Sequence, residues 1–157
     1  MFLYSLLALA VVTALIFAAP LKAKVWATLA VVAAGALWAS ATAVGVLAGG
    51  HTVRLWATDV FLFGSDAGSM DPLSALFALI VSVGAVAAVL YSRGYLAHYL
   101  GRKSPTHISL HYTALATMFY AMLGVVTSEG GFSFLFFWEL MTVASFLLIL
   151  FDAERRE

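Results

Sequence analysis

A carboxylate inside a long apolar stretch is the residue of this sequence best suited to chemistry. Residues 136–151 read FFWELMTVASFLLILF, and Glu139 is the single ionisable side chain in that run. A charged group at the centre of a bilayer costs about 2.5–3.5 kcal/mol on insertion scales, so an intramembrane acid indicates function by default. A carboxyl at this depth that gains and loses a proton is suited to moving protons or ions. The alternative is a protonated carboxyl that hydrogen-bonds within a helix bundle and only fixes helix pairing.

The helical neighbours of Glu139 do not neutralise it. At positions three and four residues away, Thr142 is the only polar side chain, and the remaining neighbours are apolar. Trp138 lies next to the acid in the sequence and is predicted to help keep it dry. A basic partner for Glu139 must therefore come from another helix or another chain.

Other polar residues are secondary candidates. His107 and His111, spaced i and i+4, are candidates for proton entry at the cytoplasmic mouth, because histidine titrates near neutral pH. Interfacial packing is the alternative for both. Asp71 followed by Pro72 is typical of a helix start, with Asp as the N-cap and Pro at the first helical position, so their predicted role is structural.

The composition excludes several classes of protein. The 157 residues are 64% hydrophobic and 10% charged, whereas soluble domains carry about 25% charged residues. The formal net charge is zero and no basic run occurs, so no nucleic-acid partner is predicted. Cysteine is absent, which excludes disulfides and thiolate-bound metals or clusters in this chain. The histidines form no metal-ligand pattern, and no cofactor is predicted here.

Five apolar stretches are long enough to cross a bilayer, which takes about 20 helical residues. The predicted fold is an all-α integral membrane protein that forms a single membrane domain over residues 1–157. Its helices are predicted at about 2–19, 25–48, 71–91, 109–127 and 132–151. A cleaved signal peptide is the alternative for the first stretch, but no positive charge precedes the apolar run, which favours an uncleaved helix.

Segment 51–70, between the second and third predicted helices, contains two short β-prone runs. TVRLW and DVFLF are separated by Ala57 and Thr58 and are followed by the turn-rich GSDAGS. This pattern predicts a loop that resembles a β-hairpin, with an irregular cover as the alternative.

The basic residues indicate the orientation of the helices. Arg54 alone lies on one side, and the other seven of the eight Lys and Arg residues lie in loops on the opposite side. These seven are Lys22, Lys24, Arg93, Arg102, Lys103, Arg155 and Arg156. Because Lys and Arg are enriched in cytoplasmic loops, we predict that the side with these seven residues is cytoplasmic. The protein is predicted to be a multi-pass protein of the inner (plasma) membrane. Its N-terminus would lie outside, its C-terminus inside, and the hairpin-like loop on the extracytoplasmic face.

Three stretches resemble a known family. FFWELMTVASFLLI, the upstream MDPLSALF and the VLYSRGYL at the end of the third helix are similar to antiporter-like, proton-translocating membrane subunits. Such subunits occur in respiratory complex I, in Mrp-type sodium/proton antiporters, and in hydrogenases of the hydrogenase-4 and formate hydrogenlyase type. The resemblance covers about residues 55–157 and is strongest to the hydrogenase-4 component B branch.

The resemblance implies a role for Glu139 and a set of partners. It makes Glu139 the family's essential glutamate, which pairs across the bundle with a lysine on a later helix. The chain is then expected to be a non-redox, proton-translocating subunit of a redox-driven complex, of the hydrogenase-4, formate hydrogenlyase or complex I type. Iron–sulfur clusters, with nickel–iron or flavin as further options, would belong to partner subunits. An Mrp-type sodium/proton antiporter component is the alternative, and a structural assembly module is a third hypothesis.

Members of this family have more helices than are predicted here, arranged as inverted repeats. No lysine lies in the five predicted spans, so the usual partner of Glu139 is missing from them. We therefore expect an N-terminal part or a split half, completed by a chain or segment that supplies the remaining helices and an intramembrane lysine. Other membrane subunits and the lipid bilayer are the further predicted partners.

Overall fold

The computed structural model describes residues 11, 13–21, 23–60, 64–97, 99 and 103–153. Four long helices and one two-stranded sheet lie within these residues. In chain order they are α1 (Lys24–Gly49), β1 (Val53–Val60), β2 (Gly64–Met70), α2 (Pro72–Ala97), α3 (Pro105–Thr127) and α4 (Gly131–Ala153). All four helices are long and apolar enough to cross a membrane, and they correspond to the second to fifth predicted spans. Most of the first predicted span lies outside the described residues, although residues 13–18 are helical.

The helices pack as two linked pairs. α1 packs mainly against α2, α3 packs mainly against α4, and α3 also contacts α1 and α2. The buried stripe of α1 repeats every three or four residues and consists of Val32, Ala36, Ala39, Ala43 and Val46. Such small side chains let helix backbones approach closely, which favours helix association in a membrane.

A buried lysine ties α1 to the helical segment before it. Lys24 is 3% exposed, and its Nζ donates hydrogen bonds of 2.9 Å to the carbonyl oxygens of both Ile16 and Phe17. Carbonyls in the last turn of a helix lack partners within that helix, so Lys24 caps the segment's C-terminal end. The charge pattern predicts Lys24 to be a loop residue, whereas the structure makes it the first residue of α1.

α2 begins at the Asp–Pro pair. The Asp71 carboxylate accepts a 2.6 Å hydrogen bond from the Ser74 backbone N–H, and Pro72 is the first helical residue. This hydrogen bond lowers the pKa of Asp71 because it stabilises the ionised form. The helix continues to Ala97 instead of ending near Tyr91. The predicted end followed the apolar run, but a helix does not have to end where its residues become polar.

α3 begins earlier than its apolar run. It starts at Pro105 instead of near Ser109, and Ser104 is its N-cap. The Ser104 Oγ accepts a hydrogen bond of 3.4 Å from the His107 backbone N–H. Ser followed by Pro is the same kind of start signal as Asp71 followed by Pro72. The capping residues, rather than the apolar run, therefore locate this helix start.

The hairpin is present, and its first strand contains most of the predicted run TVRLW, but its second strand is not the predicted one. β1 continues through Asp59 and Val60, which begin the second predicted run. Its antiparallel partner β2 is the stretch GSDAGSM, of which the sequence predicts GSDAGS to be a turn. A side chain on Gly68 would overlap the Trp56 ring, so the glycine lets the tryptophan lie across β2. β2 also contacts all four described helices. Strand preference depends on such packing more than on intrinsic propensity, which explains why the β-prone residues did not identify β2.

The orientation in the membrane stays a prediction, and the absence of cysteine makes it simple to test. Thr52 and Thr106 are both exposed, near the hairpin and at the start of α3 respectively. A membrane-impermeant maleimide should label Thr52→Cys on intact cells, and should label Thr106→Cys only after the membrane is permeabilised. Labelling of both variants from the same side would contradict the predicted arrangement.

Candidate functional site

The orientation of α4 determines where Glu139 points. Phe137 packs onto α3 at Gly124, where an added side chain would overlap the phenyl ring. Two residues turn an α-helix by about 200°, so Glu139 points away from α3. The outward face of α4 is apolar apart from a few polar groups, and its large exposed side chains include Leu135, Trp138, Phe146 and Ile149. Glu139 is exposed on this face, and its carboxylate would be free to meet another helix or chain.

The nearest polar and aromatic residues do not bind the carboxylate. The Thr142 Oγ1 donates a 3.0 Å hydrogen bond to the Trp138 carbonyl within the same helix. Trp138 is 51% exposed, and its ring lies 6.2 Å from that of Phe134. Within the described part of the chain, Glu139 forms no hydrogen bond or ion pair. The basic partner predicted for it therefore stays a prediction about helices beyond these residues.

A second carboxylate, which the sequence did not single out, lies at the beginning of α4. Asp66 of β2 is buried, and its Oδ2 accepts a 2.9 Å hydrogen bond from the Ser133 backbone N–H. Its Oδ1 accepts hydrogen bonds from the Ser133 hydroxyl at 3.0 Å and from the Ala67 N–H at 2.9 Å. Ser133 is the third residue of α4, so Asp66 fills the role of an N-cap side chain from a distant part of the sequence.

The backbone around Asp66 keeps β2 next to the α3–α4 turn. The Glu129 N–H donates a 2.9 Å hydrogen bond to the Ala67 carbonyl, and Gly68 forms an isolated antiparallel bridge with Ser128. A side chain on Gly130 would overlap the Asp66 carboxylate. Gly130 thus leaves empty the space that a local N-cap side chain would use, and Asp66 occupies it.

The C-terminal end of α4 is in contact with the side chain of Lys103. The Lys103 Nζ donates a hydrogen bond to the Phe151 carbonyl and lies 4.5 Å from the centroid of the Phe151 ring. Phe151 is in the last turn of α4, where carbonyls lack partners within the helix. The sequence predicts Lys103 only as one of several cytoplasmic basic residues.

The two predicted histidines lie in different surroundings. His107 is exposed, with its Nδ1 3.0 Å from the Ser104 Oγ. His111, one turn further along α3, is buried, and its ring packs 4.7 Å from Phe151 and 6.1 Å from Tyr95. The His111 Nδ1 has no hydrogen-bond partner among the described residues.

The histidines are far from Glu139 along the helices. Phe151, which His111 contacts, follows Glu139 by twelve residues, or about 18 Å of helix. Any proton path from His111 to Glu139 would therefore need intermediate groups or water. Within the part of the chain that the structure describes, no three His, Asp or Glu side chains are grouped as metal ligands.

The chain is similar to antiporter subunits over about half its length. A Staphylococcus saprophyticus protein named as antiporter subunit mnhA2 is 35% identical over 82 residues, which are 52% of this chain and 10% of that protein. The Na(+)/H(+) antiporter subunit A1 of Staphylococcus aureus strain JH9 is 39% identical over 87 residues, 55% of this chain and 10% of that protein. The match thus spans about a tenth of the length of these curated relatives. No protein-family model matches the chain.

These relatives support a resemblance to antiporter-like membrane subunits, and they are named as subunits of larger assemblies. They favour the Mrp-type alternative over the hydrogenase-4, formate hydrogenlyase and complex I interpretation that the motifs had put first. The four spanning-capable helices agree with a membrane protein.

Proposed function

We propose that this chain is part of an Mrp-type sodium/proton antiporter subunit and that Glu139 binds and releases the transported proton. The observation that carries the proposal is an intramembrane carboxylate on the outward face of α4, in a chain similar to antiporter subunits. Membrane-embedded acids face a bundle interior or a water-filled cavity far more often than lipid. The outward face of α4 is therefore proposed to contact further helices in the complete protein.

The proposed mechanism depends on changes in the surroundings of Glu139. With a cation beside it, the carboxylate is stabilised in its ionised form, and without that cation it takes up a proton. A basic group on a further helix or partner chain that approaches and withdraws would thus make Glu139 release and bind protons in turn. His107 and His111 are proposed to lead protons inward from the cytoplasmic side.

The remaining features of the proposal concern location and partners. The chain is proposed to lie in the inner (plasma) membrane, with the hairpin of β1 and β2 outside. It is proposed to work with other membrane subunits, one of which, or a further segment, supplies the missing lysine. In this proposal proton movement is coupled to sodium exchange rather than to electron transfer.

Transport by everted membrane vesicles tests the proposal. The full-length protein and its partner subunits would be expressed in cells without their own sodium/proton antiporters, and respiration would acidify the vesicle interior. Addition of Na⁺ should dissipate the pH gradient, as followed by a pH-sensitive dye, and addition of choline should not. An unchanged pH gradient on addition of Na⁺, together with additional donor-dependent proton uptake that requires the expressed subunits, would instead indicate a subunit of a redox-driven complex.

A further inference from the structure

The helix that carries Glu139 is held at both ends by residues from other parts of the chain. Asp66 accepts a hydrogen bond from the Ser133 N–H at the N-terminal end of α4. Lys103 donates a hydrogen bond to the Phe151 carbonyl at the C-terminal end. A helix carries a partial positive charge at its N-terminus and a partial negative charge at its C-terminus. An anion and a cation therefore lie at the ends that each of them stabilises.

Side packing contributes less to the position of α4 than to that of its neighbours. α4 is the least buried of the four described helices, and α3, its main partner, is the most buried. A helix packed mainly on one face is restrained less against sliding or tilting than a helix packed on several faces. The contacts at its two ends therefore add a restraint on how deep each of its residues lies, beside the packing of Phe137 on α3.

We propose that Asp66 is a positioning residue for Glu139. It caps α4 from the hairpin and, with Lys103 at the opposite end, fixes the depth of the Glu139 carboxylate. Ser133 precedes Glu139 by six residues, or about 9 Å of helix, so displacement of the capped turn moves the carboxylate with it. The effect of Glu139 depth on transport rests on the proposed function. The capping of α4 by Asp66 does not depend on that function.

A transfer of the cap from one residue to another tests this proposal. Asp66→Ala removes the cap from the hairpin, and Gly130→Asp places a carboxylate at the local N-cap position of α4. Gly130 does not have a positive φ angle, so the backbone accepts a side chain there. In the Gly130→Asp single variant the new side chain would overlap the Asp66 carboxylate. In the double variant Asp66→Ala removes that carboxylate, so the new side chain has room. Each single variant should be impaired, and the double variant should recover.

Two measurements on the full-length protein with its partner subunits give the result. Hydrogen exchange of residues 131–134 should become about fivefold faster in Asp66→Ala, the size expected from the loss of an ordinary helix cap. The pH dependence of Na⁺-dependent proton exchange should shift in the same variant, because a displaced Glu139 meets different surroundings. Both properties should return to normal in the double variant.

Glu129→Gln is the matched control, since it also removes a carboxylate beside the same helix end. Glu129 is exposed, and only its backbone bonds to β2, so both measurements should stay unchanged. If Asp66→Ala does not assemble, Asp66→Asn and Ser133→Ala, which keep part of the hydrogen bonding, replace it.

Two outcomes would overturn the proposal. One is an Asp66→Ala protein with normal hydrogen exchange and a normal pH profile, in which only the amount assembled falls. The other is a double variant that does not recover or does not assemble. A third result would separate the two proposals. If the double variant reverses the faster hydrogen exchange but Glu139→Gln transports like the wild type, Asp66 caps α4 and Glu139 has no role in transport.

Discussion

Glu139→Gln is expected to abolish Na⁺-dependent proton exchange by the full-length protein while it leaves assembly intact. Glutamine has nearly the same shape and keeps hydrogen bonding, but it cannot gain or lose a proton. Because proton transfer by a positioned group typically contributes 10²–10⁴-fold to a rate, we expect a loss of at least about a hundredfold. The measurement is dissipation of a pH gradient in everted vesicles, with the amount of assembled protein determined in parallel.

Three further variants separate a transport role from a structural one. Glu139→Asp still titrates but is one methylene shorter, so it should retain part of the activity. Glu139→Leu removes the cost of placing a carboxylate in the membrane, so it should insert readily and transport no better than the glutamine variant. Glu129→Gln makes the same chemical change ten positions earlier, at an exposed residue of the α3–α4 turn, and should transport normally. Wild-type transport by Glu139→Gln would reduce Glu139 to a residue that only fixes helix pairing.

Gly124→Ala is expected to destabilise the protein and to separate the helix of Glu139 from the rest of the bundle. The added methyl group would overlap the Phe137 ring, which packs onto α3 at that point. Overpacking of this kind typically costs about 1–3 kcal/mol of stability. The measurement is the thermal unfolding midpoint of the purified full-length protein, and a lower midpoint with weaker transport is the expected result.

A second glycine provides a control for the same substitution. An added side chain on Gly84, within α2, would meet no atom within 4 Å. Gly84→Ala should therefore be neutral or slightly stabilising, since glycine in a helix interior costs about 0.5–1 kcal/mol relative to alanine. Addition of Phe137→Ala to Gly124→Ala should relieve the overlap and recover part of the loss. Equal stability of the two glycine variants would contradict the overlap with Phe137 that the structure predicts.

Features that depend on neighbouring residues in the sequence are predictable from it. The four described helices lie where the apolar stretches predict them, because hydrophobicity over about 20 residues is a local property. The start of α2 is also set locally. Asp71 accepts a hydrogen bond from a backbone N–H of the first turn, and Pro72 has no N–H that would need a partner. The Ser104–Pro105 pair gives the same signal for α3, and it locates that start better than the apolar run does.

Pairing of the hairpin strands is not a local property. β2 contains small and polar residues, and intrinsic propensity favours the aromatic run before it. What makes GSDAGSM a strand is its fit beneath Trp56 and its contacts with all four described helices. Strand formation depends on the surface against which a segment packs, and the packing becomes apparent only when the helices are in place.

Residue types alone indicate that Glu139 is an acid inside a membrane span, because its neighbours are apolar and its side chain is ionisable. The direction in which that acid points and the contacts that hold its helix follow from the fold. The contact between Phe137 and Gly124 turns Glu139 outward, and Asp66 caps the helix from 67 residues away in the sequence. Local patterns cannot encode these contacts, since each depends on atoms that become neighbours only through folding.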